Sequence, residues 1–147
     1  MLDTETKQRV DSVNHAHAEL SHKFTLFIEI AISIKHDLKN SGIEIELIKN
    51  YLHAYFLDEE LIFKYRPYIC NATISGMITV SHRHRGLDEN LIVTPITEFY
   101  FDHLGNISRQ PDMKNSMETM SSREDVFSII LKAASKLLDS GIFHISK

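Results

Sequence analysis

The stretch TISGMITVSHRHRG, residues 73–86, decides the fold, because the hydrophobic pattern changes here to a period of two. Small or apolar residues occupy every second position: Ile74, Gly76, Ile78 and Val80. Mostly polar residues stand between them. Successive side chains of a β-strand point to opposite faces of the sheet, so this alternation predicts a strand with one buried face.

The same strand ends in the densest cluster of reactive side chains in the chain, HRHR at residues 82–85. If the alternation continues, the two histidines extend the core face, while Arg83 and Arg85 lie on the polar face. Same-face residues are about 6.6 Å apart along a strand, which is too far for the histidines to share a metal ion without another ligand. On the following strand, Glu98 and Asp102 are expected on the polar face beside the arginines. We therefore expect Arg83 and Arg85 to pair with these two carboxylates.

Upstream of this strand the pattern predicts a helical part over about residues 4–66. Residues 4–39 carry small or apolar residues at a spacing of three and four, which is typical of a long amphipathic helix. Within it, residues 24–34 also alternate as a strand would, so both structures stay open there. The stretch IEIELIKNYLHAYF, residues 43–56, predicts a second helix, and a short third helix is predicted before Pro67.

Downstream, three extended segments predict an antiparallel sheet over about residues 72–110. The polar residues 110–121 predict a mobile loop, and a capped amphipathic helix follows over about residues 122–140. The predicted fold class is therefore α+β, with two to three N-terminal helices, a three-stranded antiparallel meander sheet, and a C-terminal helix packed on the sheet. By length and composition, residues 1–147 are predicted to form a single domain.

Composition disfavours several classes of protein. The net charge is −4, with 16 basic against 20 acidic side chains, and a mildly acidic chain is a poor non-specific binder of nucleic acid. Cys70 is the single cysteine, which we interpret as a small buried residue; one thiol cannot form an internal disulfide, so a cytoplasmic, reducing location is expected. The N-terminus resembles no secretory signal, and no run of about 18 apolar residues predicts a membrane span.

An acidic region bearing tyrosines is the leading candidate for a binding surface. Its residues are Glu44, Glu46, Tyr51, Tyr55, Asp58, Glu59 and Glu60, with Arg83 and Arg85 as further candidates on the strand. Carboxylates steer a basic partner and aromatic rings anchor it. We predict a non-enzymatic protein-binding domain, in its sharpest form an inhibitor or immunity-type protein that occludes a toxin or nuclease. The expected partner is another protein with a basic surface, and a homodimer stays open.

Two alternative functions rest on other residues. On a helix, His15, Glu19 and His22 fall within one sector of about 60°, and these side chains are competent metal ligands, so a histidine-dependent metal-binding or hydrolytic enzyme is the first alternative. A second histidine group for that enzyme is His82, His84 and His103. The further alternative is an anion or nucleic-acid site built on Arg83 and Arg85. No phosphate-binding, dinucleotide-binding or zinc-protease motif occurs, so no cofactor is predicted.

Overall fold

The computed structural model describes residues 3–70, 73–85, 88–114 and 118–139. In this part of the chain the elements follow in the order α1 Thr4–Ser33, α2 Lys35–Asn40, β1 Ile43–Ile48, β2 Tyr51–Phe56, β3 Glu59–Cys70, β4 Thr73–Arg85, β5 Leu91–Phe101, β6 Asn106–Ser108, β7 Glu118–Thr119 and α3 Arg123–Leu138.

The strands form one seven-stranded sheet in which neighbours along the chain are also neighbours in space, from β1 to β7. Every adjacent pair is antiparallel, and the sheet curls into a half-barrel. The register between β4 and β5 shifts between Val80 and Ser81, which marks a β-bulge. Strand β5 pairs with β6 only through Tyr100 and Phe101, so most of its length has a strand partner on one side only within the described residues.

The predicted three-stranded meander with two to three N-terminal helices is wrong. Residues 43–56, predicted as a helix, form the hairpin of β1 and β2, and the predicted third helix is the first half of β3. Tight turns join β1 to β2 and β2 to β3. Lys49 precedes β2 with φ 57°, and Leu57 and Asp58 follow it with φ 53° and 63°. Two consecutive residues with positive φ match the tight turn that suits the twist of a β-hairpin.

The hydrophobic core lies on one face of the sheet, which we call the inner face. It carries the buried alternate residues of the strands, including Ile43, Ile45, Leu52, Ala54, Leu61, Phe63, Ile78, Val80, Phe99 and Phe101. Helices α1 and α3 pack against these residues with Phe27, Ala31, Ile130 and Ala133, all without exposed surface. The opposite face, which we call the outer face, carries the odd-numbered residues of β2 and β4 and the even-numbered residues of β1 and β3.

The long N-terminal helix is confirmed over most of its predicted length, and residues 24–33 are helical rather than extended. Its first turn is capped by Asp3, whose carboxylate accepts hydrogen bonds from the backbone N–H groups of Glu5 and Thr6. The C-terminal helix is also present, and Ser122 caps it by accepting from the N–H of Asp125 at 3.3 Å.

The predicted loop of residues 110–121 contains the short strand β7, which pairs with β6. Met120, at its end, is fully buried in the core. Residues 115–117 and the side chain of Cys70 lie outside the described part, and the interpretation of Cys70 as a buried residue concerns a side chain that is not described.

Candidate functional site

A row of charged and aromatic side chains crosses the outer face of the sheet. The register pairs Glu44 of β1 with Tyr55 of β2, Tyr55 with Glu60 of β3, and Glu60 with Arg83 of β4. Residues directly opposite one another in an antiparallel sheet have Cβ atoms about 4.5–5.5 Å apart, so the four side chains are near neighbours. The sequence hypothesis named all four residues, and the sheet rather than a helix brings them together. We call Glu44, Glu46, Tyr55 and Glu60 the acidic tyrosine patch.

The contacts within the acidic tyrosine patch centre on the phenol of Tyr55. Its hydroxyl lies 3.5 Å from Oε2 of Glu46 and donates a long hydrogen bond to it. Burial, followed by the negative charges of Glu60 and Glu46, raises the pKa of Tyr55. Because the one hydrogen of the phenol is donated to Glu46, the phenol oxygen is left to accept a hydrogen bond from a partner.

Arg83 supplies a positive charge at the end of the row. Its Nη1 lies 3.5 Å from Oε1 of Glu60, and the side chains of Arg83 and Glu60 are 42% and 20% exposed. The predicted pairing of Arg83 and Arg85 with Glu98 and Asp102 is wrong. Glu98 accepts a hydrogen bond from Tyr100 at 2.7 Å, and the Asp102 carboxylate binds backbone N–H groups of the β5–β6 turn.

The remaining predicted site residues lie apart from the row. Glu59 points to the inner face, Asp58 lies in the turn after β2, and Arg85 donates from Nη1 to the backbone oxygen of Glu89 at 3.1 Å. Tyr51 lies at the far end of β2, where the Nζ of Lys64 sits 4.8 Å from the centre of its ring. Of the nine predicted surface residues, five thus lie close together on β1–β4: Glu44, Glu46, Tyr55, Glu60 and Arg83.

His53 belongs to the same face and was not identified from the sequence. It lies on the outer face of β2, only 5% exposed, with Nδ1 3.5 Å from Oε1 of Glu60. This distance is long for a hydrogen bond, and neither atom has a hydrogen-bond partner within the described residues. The alternation of Leu52, Ala54 and Phe56 around it was the available signal, because it places His53 opposite the core.

The strand histidines form a separate pair on the inner face, in which His82 is buried and His84 is partly exposed. His82 has no exposed surface, and its Nε2 lies 2.7 Å from Oε2 of Glu59. The ring of His84 stacks on that of His82 at 4.5 Å, nearly parallel. The prediction that both histidines lie on the core face is confirmed, and His82 is also fully buried. A carboxylate-bound imidazole is an acid–base pair, but with no exposed surface His82 cannot contact a substrate in this conformation.

The helix group predicted as a metal site is spread along an exposed surface. His15 Nε2 lies 3.1 Å from Oε1 of Glu19, with these side chains 78% and 48% exposed. Within the described ranges, no three or more histidine, cysteine, aspartate or glutamate side chains are arranged to hold a metal ion. His15, Glu19 and His22 therefore do not form a preorganised site.

Comparison with known proteins identifies no relative of this chain. No family model, no curated protein and no solved structure matches the chain. None of the described helices combines the length and the apolar character that crossing a membrane requires.

Proposed function

We propose that this chain is a non-enzymatic protein-binding domain, which binds a partner with a basic surface through the acidic tyrosine patch. The observation that carries the proposal is the cross-strand row of Glu44, Tyr55 and Glu60, with Glu46 beside it, on the face of the sheet opposite the helices and the core. The residues of the inner face are explained by their packing in the hydrophobic core. On the outer face, nothing in the packing of the described residues requires three carboxylates around one tyrosine.

The charges of the patch favour encounter with a cation-bearing surface. Of the three carboxylates, Glu60 has Arg83 as a basic neighbour, whereas Glu44 has no ion pair within the described residues. Two lysines of α2, Lys35 and Lys39, line a shallow depression together with Glu44 and Glu46 at the edge of the sheet. These lysines lower the negative potential at that edge, so the partner's cations contact the patch from the β2–β3 side. Attraction of this kind raises the association rate and weakens with salt.

The tyrosine supplies the anchor. Tyr55 is half-buried between its strand neighbours, so its ring loses little conformational freedom when a partner covers it. Tyrosine is enriched among the residues that dominate interface energies, because it combines a large apolar ring with one polar group. Strands also hold their side chains more rigidly than loops do, which lowers the entropic cost of association.

The narrower hypothesis of an inhibitor or immunity-type protein that neutralises a toxin is corrected. It rested on an acidic helical face, and that region is a sheet without a family relative that would indicate such a role. A cytoplasmic location stays part of the proposal, on the ground that a single cysteine suits a reducing compartment. No contact described above favours the histidine-dependent enzyme, and we propose no second function.

The experiment compares two tagged double variants as baits in native cells. Glu44→Lys with Glu46→Lys reverses charge on the patch. Glu5→Lys with Asp11→Lys makes the same change of net charge on the exposed N-terminal turns of α1. We expect a partner that co-purifies with the wild type and with the α1 variant, is lost from the patch variant, and dissociates as salt rises. A partner retained equally by both variants would refute the proposal.

A further inference from the structure

A cleft of about 430 Å³ separates α1 from the β1–β2 turn. Its apolar wall consists of Phe24 and Ile28 of α1, Leu47 of β1 and Tyr65 of β3. The volume falls within the range of about 300–1,000 Å³ that is typical of small-molecule sites. The cleft opens between the helix and the hairpin, and its occupation is independent of the function proposed for the acidic tyrosine patch.

The cleft exists because α1 covers only part of the inner face of β1. Ile43 and Ile45 are 1% and 2% exposed, whereas Leu47, the next residue on the same face, is 50% exposed. Across the gap, Phe24 and Ile28 are themselves nearly buried, at 5% and 7%. An inner-face leucine is thus left uncovered next to two well-packed side chains of the helix, and an apolar group placed there would bury mainly the exposed surface of Leu47.

The rim of the cleft carries one charge of each sign, on opposite walls. Glu29 lies on α1, one helical turn after the line of hydroxyls formed by Ser21 and Thr25. Lys49 lies in the β1–β2 turn and has a positive φ of 57°. Within the described residues neither Glu29 nor Lys49 has an ion-pair partner, so both charges are free to meet a ligand.

We propose that this cleft binds a free amino acid with a large apolar side chain. Lys49 faces its carboxylate, Glu29 its ammonium group, and Phe24, Ile28 and Leu47 contact its side chain. A zwitterion with an apolar body is the chemical class that uses both rim charges and the apolar wall together. A ligand with only a carboxylate would leave Glu29 unpaired beside it, and a ligand with only an amine would leave Lys49 unpaired.

The test titrates isotope-labelled full-length protein with three probes and follows backbone amide shifts. L-phenylalanine carries both charges, 3-phenylpropionate lacks the ammonium group, and 2-phenylethylamine lacks the carboxylate. We expect saturable shifts at residues around Phe24, Leu47 and Lys49, with L-phenylalanine binding about tenfold more tightly than either analogue, since a hydrogen-bonded charge contributes about this much.

Charge-removing variants then assign each contact. Lys49→Gln should bind L-phenylalanine no more tightly than 2-phenylethylamine, and Glu29→Gln should bind it no more tightly than 3-phenylpropionate. Both residues are exposed, so the variants are expected to fold, and Lys136→Gln and Glu5→Gln serve as matched controls. Absence of saturable shifts with all three probes would overturn the proposal. Equal binding of one analogue and L-phenylalanine would also overturn it, because the site would then accept a single charge.

Discussion

Replacing Gly76 by alanine tests the packing that joins the sheet to its core. Gly76 of β4 lies directly opposite Phe101 of β5, and Phe101 is fully buried. A Cβ atom built on Gly76 would overlap three ring atoms of Phe101, namely Cζ, Cε1 and Cε2. Carbon atoms pack favourably at about 3.5–4.0 Å, so the ring or the strand must move to accommodate the methyl group.

The expected cost follows from overpacking a buried site. Insertion of one methyl group into a well-packed core destabilises by about 1–3 kcal/mol, and here the clash is with a rigid ring held by the rest of the core. For a chain of this length, each kcal/mol lowers the melting temperature by about 2–4 °C. Urea unfolding of Gly76→Ala should therefore show a lower midpoint with an unchanged slope.

A matched substitution separates the clash from the loss of glycine itself. Gly42 has no atom within 4 Å of its ideal Cβ, but its φ is +81°, so Gly42→Ala costs about 1–2 kcal/mol through backbone strain alone. Phe101→Leu should cost less in the Gly76→Ala background than in the wild type, because the smaller side chain relieves the overlap. A Gly76→Ala protein as stable as the wild type, or additive effects in the double variant, would refute this register of β4 and β5.

Three further predictions concern single contacts. Ser122→Ala removes the cap of α3 and should lower the free energy of unfolding by about 0.5–2 kcal/mol in urea; no loss would contradict the cap. Glu59→Ala leaves the buried imidazole of His82 without its partner and should cost about 1–3 kcal/mol, with Glu59→Gln costing less; equal losses would argue against the hydrogen bond. Burial raises the pKa of Tyr65 to about 12, above the value of about 10 for an unfolded tyrosine. The stabilisation from its neutral phenol is therefore complete below pH about 10 and is lost as the pH rises through about 12. The free energy of unfolding of the wild type should fall relative to that of Tyr65→Phe in this window, and parallel curves of the two free energies against pH would contradict the shift.

The elements that were predictable from sequence are those with one uninterrupted period. Residues 4–33 keep a helical spacing long enough to outweigh the alternation inside residues 24–34, and the C-terminal helix adds its own cap. Residues 73–85 alternate over the whole of β4, and this alternation is sufficient to place His82 on the core face. In each case the period identifies the buried face.

The β1–β2 hairpin was missed because its turn changes the phase of the alternation. Inner-face residues are odd-numbered before the turn and even-numbered after it: Ile43, Ile45, Leu47, then Leu52, Ala54 and Phe56. When both strands are taken as one stretch, a different set of apolar and aromatic residues forms adjacent pairs that repeat every four positions, and this spacing imitates a helix: Leu47 and Ile48, Tyr51 and Leu52, Tyr55 and Phe56. The arrangement of the acidic residues thus depends on cross-strand neighbours, which sequence spacing does not reveal. Glu59 and Glu60, adjacent in sequence, lie on opposite faces for the same reason.

The most direct test of the proposed interface is carboxylate labelling of the complex with the co-purifying partner, read out by mass spectrometry. Modification of Glu44, Glu46 and Glu60 should slow when the partner is bound, while Glu5 and Asp11 on the N-terminal turns of α1 keep the rate of the free protein. The reverse result, with the patch carboxylates labelled at the free rate in a saturated complex, would contradict the proposal that the partner covers the acidic tyrosine patch.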